Sequence, residues 1–304
     1  MLSQNYQFPK TRRIAEVANT AQLVSLWLHG KSKESQRAYE TDIRYFAAFV
    51  TAQSVSEVRL NDIDSLRVTL NDVQGFADFL EQQGYSSATH NRRLSAIKSL
   101  LAFGHRIGYL PFDVGAPLVA PPVKNTLAER ILTELEVMTM IALEPRERNR
   151  LLIRFLYLSG ARVSEVSGLK WRDIKPAGNG RGQVTLFGKG SKTRIVVLSA
   201  SLYQQLMALR GEAERNAPVF LSRQGGSSLK PNQIRNIIAA AGKRAGIDGR
   251  VSPHWLRHSH ASHSLDRGAP VQLVQSTLGH ASVATTSRYL HARPGDSSSL
   301  YLPG

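Results

Sequence analysis

Residues 252–269, SPHWLRHSHASHSLDRGA, hold the densest run of chemistry in the chain and decide how its second half is read. Ser252 before Pro253 makes a helix start, an N-cap with proline at the first helical position, and Gly268 makes a stop. Inside that helix His254 and Arg257 stand three residues apart and share a face. His258, His260 and His263 fall in the same window. His254 and His258 have the i, i+4 spacing of metal ligands. However, no glutamate follows His254, as a zinc-protease motif requires, and the guanidinium of Arg257 on the same face disfavours a metal cation. No metal site is expected here.

Reading outward from this helix, the stretch VQSTLGHASVATTSRYLHA (274–292) places His280 in a turn between two helices. It also places Tyr289 in a last helix that starts near Ser282. Helices are expected at about 200–214, 231–245, 253–267 and 270–278. Upstream, QVTLF (183–187) and TRIVVLS (193–199) flank GKGSK, a β-hairpin with a Gly-rich basic tip that carries Lys189. Further upstream RNRLLIRFLYLSG (148–160) is apolar almost all round after its first turn, which predicts a buried central helix ending at Gly160. Arg162 opens the next helix, and TELE (133–136) fits a capping box.

The N-terminal half reads as helices with one apolar face. Tyr39, Ile43, Phe46 and Val50 recur at helical spacing, as do Val73, Phe76, Ala77 and Leu80 before a stop at Gly84. In SSATHNRRLSAIKSLLAFGHRIG (86–108), Leu94, Ile97 and Leu101 form the inner stripe. The opposite face carries Thr89, Arg92, Ser95, Ser99 and Arg106, short hydroxyls and arginines suited to phosphates and guanine edges in a DNA groove. An ordinary solvated face has the same composition.

Of 304 residues, 39 are basic and 23 acidic, for a net charge of +16, which points to a polyanionic partner, nucleic acid above all. The charge is uneven. Residues 1–122 carry 13 basic and 11 acidic side chains, and the rest 26 and 12. The break falls in PFDVGAPLVAPPVKN (111–125), where Pro111, Pro117, Pro121 and Pro122 crowd a helix-poor stretch. With no cysteine, disulfides and thiolate catalysis are excluded. There is neither an apolar leader nor a run of 18 apolar residues, so no membrane association is expected and a cytoplasmic location is, nucleoid-associated when DNA is bound.

Taken singly, each of Arg162, Lys189, His254, Arg257, His280 and Tyr289 has a bland reading as a surface charge, a solvated lysine or core packing. Together they suit phosphoryl transfer without a metal. Two guanidiniums can clamp the non-bridging oxygens of a phosphodiester and stabilise its transition state. Histidines can donate hydrogen bonds or move protons near neutral pH, a lysine can protonate a leaving alkoxide, and a tyrosine can act as nucleophile. A phenol normally titrates near about 10, and a cationic pocket favours its ionised form.

SGARVSEVSGLKWRDI (159–174), LFGKGSKTRIVVLS (186–199), SPHWLRHSHASHSLDRGA and VQSTLGHASVATTSRYLHA, in this order, resemble the tyrosine recombinases, which include phage integrases and the Xer-type recombinases of bacteria. The likeness covers the C-terminal half, and the N-terminal helices resemble the family's core-binding domain more loosely. It implies a mainly α fold with a small β-hairpin or sheet, in two domains that form a clamp around DNA. One is an all-helical, SAM-like core-binding domain and the other a mixed α+β catalytic domain. The expected limits are an arm over 1–20, the core-binding domain over 21–115, a linker over 116–130 and the catalytic domain over 131–304, with a tail from about 292.

By resemblance, Tyr289 attacks a DNA phosphodiester and leaves a 3′-phosphotyrosyl link. Arg162 and Arg257 hold the phosphate, and Lys189 protonates the 5′-oxygen. His254 moves a proton at Tyr289, His280 hydrogen-bonds the phosphate, and Glu165 supports the site from behind. No cofactor is implied, neither metal nor ATP. The implied partner is double-stranded DNA bearing a specific recombination site, processed through a Holliday junction by a homotetramer. Free protein is expected to be a monomer or weak oligomer. Tyr301, in the Ser-rich tail, is a rival nucleophile without a helical setting. Leu300, Tyr301 and Leu302 are expected to dock in a neighbouring protomer, and Lys10, Arg12 and Arg13 could form a basic arm. Two other functions stay open: a nicking-closing enzyme similar to type IB topoisomerases, and a non-catalytic DNA-binding regulator that kept the fold.

Overall fold

The computed structural model describes residues 17–119, 130–188, 193–223, 226–280, 282–287 and 289. Lys189, the arm residues Lys10, Arg12 and Arg13, most of the expected linker and the tail with Tyr301 therefore lie outside the described residues. The chain divides into two compact units, residues 1–124 and 125–304.

The first unit is helical: α1 (Thr20–Leu28), α2 (Lys33–Thr51), α3 (Leu70–Gln82) and α4 (Ser87–Arg106). Each start is fixed by a side-chain cap, from Asn19, Ser32, Thr69 and Ser86, and Thr69 with Asp72 makes a full capping box. The stripe of Leu94, Ile97 and Leu101 is buried and meets Leu23, Ile43, Phe46 and Phe76 in one core. Phe46 and Phe76 pack edge to face at 5.3 Å. Burying each such side chain stabilises the fold by roughly 1.5–3 kcal/mol. Helix α1 was not anticipated from the pattern.

The second unit opens with α5 (Glu134–Ala142), α6 (Glu147–Ser159) and α7 (Val163–Ser167), then a 3-10 turn at Trp171–Asp173. Thr133 and Glu136 make the expected capping box. Three antiparallel strands follow, β1 (Ile174–Pro176), β2 (Gly182–Phe187) and β3 (Thr193–Leu198), in the order β1-β2-β3. Val184 faces Val196, and Leu186 faces Arg194. Strand β1, three residues ending in proline, is too short to show the alternation that revealed its neighbours. The unit closes with α8 (Ala200–Arg210), α9 (Pro231–Arg244), α10 (Pro253–Asp266), α11 (Val271–Leu278) and α12 (Val283–Ser287).

Helix α6 is the buried centre expected of it, with Leu152, Ile153, Phe155 and Leu156 all closed to solvent. Two details differ from the sequence reading. Ser252 is the N-cap of α10, but its side chain makes no capping hydrogen bond. Tyr289 is not inside the last helix, because α12 ends at Ser287. It sits in the turn beyond, its amide donating to the carbonyl of Thr286 at 3.1 Å.

Candidate active site

The site is built on two left-handed glycines. Gly160 ends α6 at φ +58°, and a Cβ there would lie 2.6 Å from the side chain of Leu278. Gly279 ends α11 at φ +65°, with the Arg194 side chain 3.2 Å from where its Cβ would be. Glycine alone meets both demands, the positive φ and the close approach. The two turns then present their carbonyls to arginines from elsewhere in the chain.

A helix of this length leaves its last carbonyls without intrahelical partners, and the end carries partial negative charge. At the C-terminus of α11 three guanidiniums use those carbonyls. Arg194 Nε donates to Thr277 O at 2.6 Å, Arg257 Nη2 to Leu278 O at 2.6 Å and Arg162 Nη2 to Gly279 O at 3.1 Å. Arg257 also donates to the carbonyl of Gly160. The arginines come from β3, α10 and the start of α7, so three separate elements converge on one helix end.

Glu165 ties two of them together. Its carboxylate accepts from both terminal nitrogens of Arg194, at 2.6 and 2.8 Å, from Arg162 Nη1 at 3.0 Å and from the Arg162 amide at 2.6 Å. Burial alone would raise its pKa, but the bonds from Arg194 and Arg162 outweigh that and hold it below the usual value. Arg257 is 5% exposed. Burial, then the nearby Arg162 and Arg194, pushes its pKa down to about 9, so it remains a cation at neutral pH. Cations crowded in this way are relieved by an anion, and a phosphate supplies one.

His258 and His280 are neutral at pH 7. Burial, then His254, Arg257, Arg130 and His280, lowers His258 to about 4. Burial, then Arg257, Arg162 and Arg194, lowers His280 to about 4. His254 is solvent-exposed, yet desolvation by the protein around its ring, then Arg257, Arg235 and Arg162, pulls it below the usual value. His280 Nδ1 lies 2.9 Å from Thr286 Oγ1, which leaves Nε2 for a ligand. Tyr289 is 4% exposed and packs on Ala261, Leu265, Val274 and Leu278. Its hydroxyl lies 2.6 Å from His258 Nδ1.

The structure thus brings Arg162, Glu165, His254, Arg257, His280 and Tyr289 into one neighbourhood, while Lys189 falls outside the described residues. Two residues were missed. His258 was weighed only as a metal ligand, although it is the histidine at the tyrosine hydroxyl. Arg194 carries no motif signal of its own inside a strand. The signal that could have found it is Glu165, a buried carboxylate in need of a second cation.

In the first unit, Ser95, Ser99, Arg92 and Arg106 are exposed on α4 and Thr89 is half-buried. Three of these already have internal partners, and Thr89 Oγ1 lies 3.0 Å from Ser86 Oγ. Arg92 is ion-paired with the buried Asp42, and Ser99 accepts from Trp27 Nε1 at 3.1 Å.

Residues 130–295 match the family model "Phage integrase family", and residues 23–107 match "Phage integrase, N-terminal SAM-like domain". A tyrosine recombinase XerC of Pelobacter propionicus is 33% identical over 273 residues, 86% of this chain and 85% of that protein. A tyrosine recombinase XerD of Bifidobacterium longum is 32% identical over 293 residues, 90% and 91% of the two chains. In fold, the chain is similar to a lambda integrase dimer bound to a COC′ core site, with a TM-score of 0.71 at 17% identity, covering 91% of this chain and 95% of that one. It is also similar to the XerH site-specific recombinase bound to its difH substrate, at 0.68 and 22%, covering 94% and 84%.

Proposed function

The chain belongs to the phage integrase family and is a tyrosine-type site-specific DNA recombinase, and from that premise we propose that Tyr289 is the nucleophile that breaks and rejoins the DNA strand. One observation carries the assignment: the Tyr289 hydroxyl is held at 2.6 Å by a histidine adjoining Arg257, beside a cluster of guanidiniums with one carboxylate to offset them. In this reading Arg162 and Arg257 grip the non-bridging oxygens of the scissile phosphate, and His280 donates to it through Nε2. Lys189 protonates the 5′-oxygen as it leaves. The tyrosine–phosphate ester keeps the energy of the bond it replaces, so rejoining needs neither ATP nor a resident metal. Arg194 and Glu165 act behind the phosphate and keep Arg162 oriented.

A second duplex supplies the 5′-hydroxyl that attacks the phosphotyrosine, and two rounds pass through a Holliday junction. We place this reaction in the cytoplasm, on a specific recombination site, in a tetramer of this chain. The tail from about residue 292 docks in the neighbouring protomer. The domain limits follow the same reading, with the core-binding half over 21–115 and the catalytic half over 131–304, and Thr89, Arg92, Ser95, Ser99 and Arg106 facing DNA. Topoisomerase and regulator readings draw no support from relatives that are recombinases.

Trapping on nicked duplexes tests the chemistry. Wild-type protein should form a covalent adduct, whose sequenced DNA gives site and cleavage position together. Tyr289→Phe should bind DNA and form none, and adducts that survive would overturn the assignment. Sizing the same complexes should give four protomers per pair of sites, and a constant one protomer per duplex would overturn the tetramer.

A further inference from the structure

We propose that His258, not His254, takes the phenolic proton of Tyr289 during attack and returns it during rejoining. This inference rests on the reading of Tyr289 as nucleophile. The geometry separates the two histidines. His258 Nδ1 is 2.6 Å from the Tyr289 hydroxyl, and their ring centroids are 5.7 Å apart. His254 lies one turn earlier on α10, with its ring centroid 6.4 Å from that of His258, where it can hand a proton onward.

The step balances. The Tyr289 O–H bond breaks and its proton moves to His258 Nδ1, while the phenolic oxygen bonds to phosphorus. The bond from phosphorus to the 5′-oxygen breaks, and the leaving oxygen takes its proton from the general acid. In rejoining, His258 gives its proton back to the departing phenolic oxygen. Nδ1 must carry a free lone pair for this, so the ring starts neutral with its hydrogen on Nε2.

The surroundings make that base conditional on substrate. Among the described residues, the charged and titratable groups facing His258 are His254, Arg257, Arg130, His280 and Tyr289 itself. Without an anion, burial and these neighbours hold its pKa down to about 4, which keeps the ring neutral but also makes it a weak base. A bound phosphate neutralises part of the field of Arg257 and strengthens the pull of His258 on a proton. The tyrosine is then activated only when a phosphodiester is in place.

Single-turnover cleavage by pre-bound full-length protein tests this, on nicked duplexes with either a normal scissile phosphate or one whose 5′-bridging oxygen is sulfur. Sulfur leaves without a proton, so it isolates activation of the nucleophile. We expect His258→Ala and His258→Gln to bind DNA as wild type does and to cleave both substrates on the order of 10²-fold more slowly or worse. His258→Gln should also lose the part of the wild-type profile in which rate rises with pH. Wild-type rates in His258→Ala, rescue by sulfur, or a His258→Gln with unchanged rate and pH profile would each overturn the proposal. If His258→Ala does not fold, the glutamine variant decides. Tyr289→Phe run in parallel keeps the two inferences apart, since adducts there would break the nucleophile reading itself.

Discussion

Asp42 in the first unit and Glu165 in the second are both buried carboxylates held by arginines, yet their proton affinities move in opposite directions. Asp42 pairs with Arg92 through one oxygen. Its other oxygen has Arg93 Nε at 3.9 Å and no hydrogen-bond partner. Burial therefore dominates, and its pKa is raised despite Arg92 and Arg93. Glu165 accepts four N–H groups and ends below its usual value. Hydrogen bonds to the charged form, rather than mere proximity of arginines, decide the sign.

The arginines differ in the same way. Arg93 and Arg257 are both 5% exposed. Arg93 is sandwiched between Tyr45 and Tyr85, its guanidinium carbon 3.6 and 4.2 Å from the ring centroids, with no hydrogen bond from Nε or Nη1 and only the longer ion pair to Asp42. That charge is spent on cation–π packing inside the unit. Arg257 is tied to main-chain carbonyls amid other guanidiniums, and Arg162 in the same cluster stays about one-third exposed. The first unit uses a buried arginine to hold a core, and the second holds one ready for an anion.

The largest way to test this contrast is Arg257→Lys. A single ammonium nitrogen cannot reproduce the planar span by which separate guanidinium nitrogens reach the carbonyls of Gly160 and Leu278, so single-turnover cleavage should fall about 10²–10³-fold while DNA binding survives. Retention of wild-type cleavage would erase the distinction. Next is Arg93→Ala, which removes one cation from a buried pair and should destabilise the first unit by on the order of 3 kcal/mol. Hydrogen exchange should accelerate in α2 and α4, with the cleavage rate of bound protein unchanged. A cleavage defect matching that of Arg257→Lys would break the comparison from the other side.

The smallest effect is a pair of opposite pH slopes. Asp42 has a raised folded pKa, so its titration adds stability below its unfolded value near 3.8, and this is lost as pH rises through the folded value. Wild type should therefore gain on Asp42→Asn as pH falls from 7. Glu165 has a lowered folded pKa, so its contribution is present above its unfolded value near 4.5 and is lost as pH falls through the folded value. The advantage of wild type over Glu165→Gln should shrink on acidification. Exchange rates in α4 and α7 read the two units separately in the intact chain, and slopes of the same sign would sink the comparison.

Much of this was legible in the sequence. The apolar stripes of α4 and α6 follow from periodicity, and the hairpin follows from alternation around a glycine-rich tip. Arg162, Glu165, Arg257, His280 and Tyr289 stood out by motif. The remainder depends on tertiary register. His254 and His258 share a helix face at i, i+4, so only the placement of the following turn decides which one meets Tyr289. Nothing local to Asp42 or Arg93 marks them as buried, or shows that Tyr45 and Tyr85 close over the arginine. The pairing of Arg92 was equally hidden, because its partner lies fifty residues upstream, and neither the DNA-facing nor the solvated reading of that face includes it.

The carbonyls of Thr277, Leu278 and Gly279 hold three arginines without cancelling them. A carboxylate in that position would position a guanidinium and neutralise it together. A helix end positions and leaves the charge intact, and it has no titration in the working range to undo the grip. With Glu165 as the carboxylate bonded to this cluster, the surplus is two positive charges. A phosphodiester in DNA carries one negative charge, whereas the pentacoordinate state between the two esters carries two. The surplus therefore matches the species in mid-transfer better than the resting backbone. Under the proposed assignment of this cluster to the scissile phosphate, the turn at 277–279 would favour the transition state over ordinary DNA, and selective stabilisation of that kind accelerates exchange without making a protein cling to every phosphate it meets.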